Sequence, residues 1–75
     1  MKTILIIGAG IEPTIAIKIA KKMGLFVVAS DINPNAPGFK FADDCLIAST
    51  MDARQTTEAV IKYNNKHRID GVITV

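Results

Sequence analysis

The sequence predicts an α/β domain of three layers, with a parallel sheet of about four strands in the order 3-2-1-4 and helices on both faces. Three observations carry this. Short apolar, β-branched-rich runs recur at TILII, LFVVA, DCLIA and IDGVITV. The stretches after the first and third runs change to a helical period. The first run stops at Gly8 and the second at Ser30-Asp31, the punctuation of strand ends.

Residues 3–7 form a continuous apolar run bounded by glycine, which suits a strand buried on both faces. From Ile11 onward, Ile15, Ala16, Ile19, Ala20 and Met23 fall on one helical stripe, while Lys18, Lys21 and Lys22 point away. Pro13 is tolerated because the first helical turn has no partner for its N–H. Gly24 stands where a helix-ending glycine belongs.

The second strand is 25–29. The loop INPNAPGFKFADD follows, rich in Pro, Asn and Gly, with one helical turn expected near Phe39–Ala42. The third strand is 44–48. Asp52 caps the next helix, with Gln55 three residues later completing a capping-box pattern. Ala59, Val60 and Tyr63 give that helix its apolar side, and 69–75 make the fourth strand. No repeat or low-complexity tract interrupts the order, which is that of a Rossmann-like half.

Composition narrows the function. At 75 residues the chain is one small domain, and 49% hydrophobic content argues against disorder. The net charge of +2 is small, and no aromatic residues interleave with the Lys18–Lys22 cluster, so no nucleic-acid partner is expected. The apolar stretch from Thr3 to Ile11 is too short to cross a membrane and lacks a cleavage pattern, so no membrane partner is expected either. Cys45 is the only cysteine and reads as a buried strand thiol, fitting a cytoplasmic location. The apolar fourth strand runs to Val75 with nothing following to cover it. An edge of this kind is ordinarily protected, so the expectation is either a fragment of a longer chain, 1–75 being its first domain, or a homodimer through the open edge.

The loop GAGIEP carries the chemical question. Gly8 and Gly10 have dinucleotide-loop spacing, and Asp31 stands at the end of the second strand, where a ribose-binding acid belongs. Pro13 replaces the third glycine, whose part is close helix–strand packing. Glu12 complements the helix dipole but repels a phosphate there; its carboxylate could instead accept hydrogen bonds from sugar hydroxyls or an amine. Elsewhere His67 reads as an exposed dipole partner near a helix end. Asp43 and Asp44, adjacent in a strand, point to opposite faces and make a poor acid pair. No metal-ligand spacing, nucleophile elbow or Walker loop occurs, so no catalytic residue is assigned and no covalent step is expected of this chain alone.

GAGIEP, then DINPNAPGFKFADD, then IDGVITV, in this order, resemble the N-terminal pre-ATP-grasp domain of the ATP-grasp superfamily over nearly all 75 residues. The nearest types are carbamoyl-phosphate-synthase-like proteins and the purine-biosynthetic carboxylate–amine ligases. The resemblance implies the substrate-side domain of an ATP-dependent ligase, inactive by itself. Gly8, Ala9, Gly10 and, more loosely, Glu12 would be loop contacts for a small-molecule substrate. Asp31, Asn33 and Pro34 would form the wall after the second strand. No cofactor is implied for this chain; ATP and magnesium belong to an ATP-grasp module in the parent chain. Two alternatives stay open: an NAD(P)-binding module of an oxidoreductase or regulator, and a non-catalytic dimerising interaction domain.

Overall fold

The structure, a computed structural model, describes residues 1–49 and 51–74. Its elements run β1 (Thr3–Ile7), α1 (Ile11–Lys22), β2 (Phe26–Asp31), a 3-10 turn (Pro37–Lys40), β3 (Asp44–Ile47), α2 (Ala53–Asn64) and β4 (Gly71–Thr74). The four strands form one sheet in the order β3-β2-β1-β4, with every pair parallel. The expected fold class and strand order are borne out. The expected end of the fourth strand at Val75 lies outside the described residues.

Strand alternation divides the core into two faces. Ile6, Val27 and Ala29 pack with Ile17 and Ala20 of α1, together with Ala9 and Ala36. Leu5 and Val28 lie at intervening positions and are fully buried on the opposite, α2 side. Gly24 ends α1 at φ +80°, a left-handed conformation that glycine adopts without a Cβ penalty.

The rotation of α1 differs from the sequence reading. Ile17 and Ala20 are buried, whereas Ile15, Ile19 and Met23 are 61%, 54% and 71% exposed. Apolar residues occupy so much of this helix that two stripes compete for the sheet. Small Ala16 and Ala20 let the helix approach closely, and Ile17 fills the space beside Gly38, so the long side chains at 15 and 19 are left on the flank.

Four local expectations are also corrected. Cys45 is exposed, because β3 is an edge strand rather than a central one. The helical turn begins at Pro37, two residues before Phe39. Gln55 does not close a reciprocal capping box; Asp52 accepts from the Arg54 and Gln55 N–H groups, but the Gln55 side chain accepts from Ser49 N–H instead. His67 is not a solvent-facing dipole partner. Its ring stacks on Phe26 with centroids 4.5 Å apart and on Tyr63 at 5.8 Å, and its Nε2 lies 2.8 Å from Thr3 Oγ1. The chain after α2 is thereby pinned to the sheet. Asp70 completes the attachment, its carboxylate accepting the Thr3 N–H at 2.8 Å.

Lys21 likewise leaves the polar face assigned to it. It pairs with Asp43 at 2.7 Å, and Asp43 also accepts the Val27 N–H at 2.7 Å. Asp43 thus joins α1, β2 and the start of β3, and the adjacent aspartates do not act as a pair. Burial alone would raise its pKa, but the Lys21 hydrogen bond, the Val27 N–H and the Lys21 charge outweigh it and hold the carboxyl below its ordinary value.

Candidate functional site at the strand ends

The C-terminal ends of β1 and β2 bring most of the expected site residues together. β1 lies between β2 and β4, which are reached by crossovers in opposite directions, so its end marks the point where the strand order reverses. In open parallel sheets this is where ligands bind. Gly8 leaves β1 at φ +102°, which demands glycine, and its N–H donates to Ser30 O at 2.7 Å. Ile7 pairs in register with Ser30, which places Gly8 beside Asp31.

Asp31 then secures the loop. Its carboxylate accepts the Ala9 N–H at 3.1 Å and the Asn33 N–H at 3.0 Å. Ala9 is fully buried, and its carbonyl accepts from Gly38 N–H at 2.8 Å. Both backbone groups of Ala9 are therefore used within the fold. Asn33 continues the stitching, its side-chain oxygen accepting the Asn35 N–H at 2.9 Å in an Asx turn. Pro34 follows it, exposed on the same wall.

Gly10 N-caps α1 with no side-chain cap, and its carbonyl accepts the Thr14 hydroxyl at 2.6 Å. Glu12, in the first helical turn, is exposed. Gly10, Glu12, Asn33 and Pro34 thus present surface around the loop, while Ala9 and Asp31 form its frame. A carboxylate engaged by two backbone N–H groups has less acceptor capacity left for a ribose diol, and Glu12 stands where a pyrophosphate would need positive potential.

Pro13 and Gly38 resolve the missing third glycine. A Cβ on Gly8 would meet the Pro13 ring at 3.4 Å, so the proline packs against the turn. The close approach comes from Gly38, where a Cβ would lie 2.9 Å from Ala9 O, 2.9 Å from Ile17 Cδ1 and 3.0 Å from Thr14 Oγ1. Sequence reading passed over Gly38. Its one signal was a glycine after proline in a loop that had to pass near a helix start.

Among the described residues, no group of three or more His, Cys, Asp or Glu side chains could hold a metal ion. Nor is any described helix long and apolar enough to cross a membrane.

Comparison with known proteins agrees with the fold. No curated protein sequence matches the chain. Among solved structures, N5-carboxyaminoimidazole ribonucleotide synthetase from Thermotoga maritima matches at 29% identity and a TM-score of 0.80. The match covers 100% of this chain and 19% of the synthetase, so the chain spans about a fifth of that protein's length. The family profile of the PylC-like N-terminal domain matches residues 4–75. The resemblance to the N-terminal domain of ATP-grasp carboxylate–amine ligases is therefore upheld. The chain belongs to the PylC-like N-terminal domain family.

Proposed function

We propose that this chain is the substrate-side N-terminal domain of an ATP-dependent carboxylate–amine ligase, of the carbamoyl-phosphate-synthase-like type, and is inactive alone. The observation that carries the reading is the match of the whole chain, at 29% identity, to 19% of the synthetase. In this reading the parent chain supplies an ATP-grasp module that holds ATP and magnesium. Phosphoryl transfer there depends on positioning and on metal-assisted charge stabilisation. The cytoplasm is the corresponding location.

The residues of this chain frame a small-molecule substrate. Gly8 turns the backbone, Ala9 and Asp31 lock the loop, and Gly10 lets a ligand approach the start of α1 without a side chain in the way. Glu12 accepts hydrogen bonds from the hydroxyl or amine groups of the substrate, and Asn33 and Pro34 wall the other side. The engagement of Asp31 with Ala9 and Asn33 weighs against the dinucleotide alternative.

The test begins with the mass of the native gene product against the 8.1 kDa of this chain. A much larger product that forms ADP when given candidate carboxylic acids and amines is the expected result. Glu12→Gln in that product should raise KM for the non-nucleotide substrate and leave KM for ATP unchanged. A long product with no ATP turnover on any acid would overturn the ligase reading.

A further inference from the structure

The loop between β1 and α1 is anchored peptide by peptide. The Gly8 N–H on Ser30 O holds the Ile7–Gly8 peptide, and the Ala9 N–H on the Asp31 carboxylate holds Gly8–Ala9. The Ala9 carbonyl accepts the Gly38 N–H, which holds Ala9–Gly10. Those three partners belong to β2 and to the 3-10 turn. The last peptide before α1, Gly10–Ile11, is held from within the helix. Thr14 donates both its N–H, at 3.1 Å, and its hydroxyl, at 2.6 Å, to the Gly10 carbonyl.

A threonine hydroxyl on the carbonyl four residues back is common inside helices, where it adds little or bends the helix. Here the acceptor is the N-cap carbonyl, and no side chain caps this helix start. A Cβ on Gly38 would lie 3.0 Å from Thr14 Oγ1, so the hydroxyl sits between the Gly10 carbonyl and the 3-10 turn. In a trans peptide the C=O and N–H point in opposite directions. With the Gly10 carbonyl turned into α1, the Ile11 N–H is turned outward, among the helix-start donors that lack intrahelical partners. It opens beside Gly10 and the exposed Glu12, where the loop presents its surface.

We propose that Thr14 is a positioning residue of this loop: its hydroxyl sets the Gly10–Ile11 peptide so that the Ile11 N–H donates to a hydroxyl or carbonyl oxygen of the non-nucleotide substrate. The inference rests on the ligase-domain reading above. Thr14 meets no substrate atom and acts through the backbone that it holds. A donor fixed before binding has little ordering entropy left to lose.

Kinetics of the native gene product test it. Thr14→Val keeps the shape of the side chain and removes the hydroxyl, whereas Thr14→Ser keeps the hydroxyl and removes the methyl group. Thr14→Val should raise KM for the non-nucleotide substrate about two- to tenfold, the range that one lost hydrogen bond spans. KM for ATP should keep its wild-type value, and Thr14→Ser should hold the substrate KM near that of the wild type. An unchanged substrate KM in Thr14→Val overturns the proposal. So does an equal rise in Thr14→Ser, which assigns the effect to packing of the methyl group, and so does a joint rise of both KM values. Should Thr14→Val fail to fold, Thr14→Ala takes its place in the same comparison. Hydrogen exchange of the amides from Gly8 to Glu12 gives a readout that needs no turnover. It should quicken about two- to tenfold in Thr14→Val and not in Thr14→Ser, because the loop opens more often without the hydroxyl. Equal exchange in all three proteins overturns the proposal. Faster exchange in a product without ligase activity would uphold Thr14 as the anchor of the loop while the function proposed above fails.

Discussion

Asp31 holds the loop that precedes α1 by accepting the Ala9 N–H, 3.1 Å from its carboxylate. Ala9 is fully buried, so truncating Asp31 takes from its N–H the acceptor that the fold supplies. Asp31→Ala should therefore cost about 1–3 kcal/mol, the penalty for orphaning a buried donor. Asp31→Asn, which keeps one acceptor oxygen, should cost less. Urea midpoints of the two variants check the order. If Asp31→Ala were as stable as wild type, the carboxylate would be free for a ligand and the dinucleotide alternative would regain force. Millimolar NAD(H), correspondingly, should leave the melting temperature of the wild-type chain unchanged.

Gly38 and Gly10 should respond in opposite ways to alanine. A Cβ at Gly38 would sit 2.9 Å from the Ala9 carbonyl, and that backbone atom cannot move without opening the loop. Overpacking of this sort costs about 1–3 kcal/mol. For a domain of this size each kcal/mol lowers Tm by about 4–8 °C. A Cβ at Gly10 meets nothing within 4 Å, and its φ is −71°, so Gly10→Ala should be tolerated by the fold. On the proposed ligase reading, the same substitution in the full-length gene product should raise KM for the non-nucleotide substrate, because it fills the approach to the loop. Equal loss of stability at both positions would refute this division of labour.

The contrast between these two glycines shows what was legible in the sequence. Gly8 and Gly24 announce themselves because a positive φ at a strand end or helix end leaves few other residues. The strand order follows from the alternation of elements and the handedness of crossovers. Asp31 was placed correctly at the end of β2, but whether an acid there faces a ligand or a backbone amide depends on the path of residues 32–38. That path is set by tertiary contacts at Gly38, not by local propensity. The rotation of α1 was hidden for a related reason. With isoleucines at 11, 15, 17 and 19, periodicity offers two faces, and only packing against Gly38 selects Ile17. The exposure of Cys45 is not legible locally, because a short apolar run looks alike in central and edge strands.

Acid should weaken the domain through Asp43. Its folded pKa lies below the ordinary 3.8, so the folded state holds fewer protons than the unfolded chain in that range. The stability it contributes is present above the unfolded value and is lost as pH falls through the folded one. Denaturation midpoints measured between about pH 5 and 3 should fall for the wild type and fall less steeply for Asp43→Asn. Lys21→Met should flatten the same slope, since the Lys21 hydrogen bond is the largest of the lowering effects. Parallel slopes in all three proteins would detach Asp43 from the acid response.

Alkali should act through Tyr63, the only tyrosine in the chain. Burial first, and then the neighbouring Asp44 and Asp43 charges, push its phenol from 10.0 up to about 12. Here the folded state keeps a proton that the unfolded chain gives up, so stability is whole below the unfolded value and declines as pH rises toward the folded one. A single tyrosine makes the ultraviolet titration unambiguous. The phenolate band should remain weak at pH values where a free tyrosine is half ionised, and then grow together with loss of the far-ultraviolet helical signal. Asp44→Asn removes one of the charges that oppose ionisation and should move the phenolate band to lower pH. Because Tyr63 stacks on His67, which in turn meets Phe26 and Thr3, ionisation at this ring should loosen the attachment of α2 and β4 to the sheet. Hydrogen exchange above pH 10 should then accelerate first at β4, and uniform acceleration across all four strands would place the alkaline transition elsewhere.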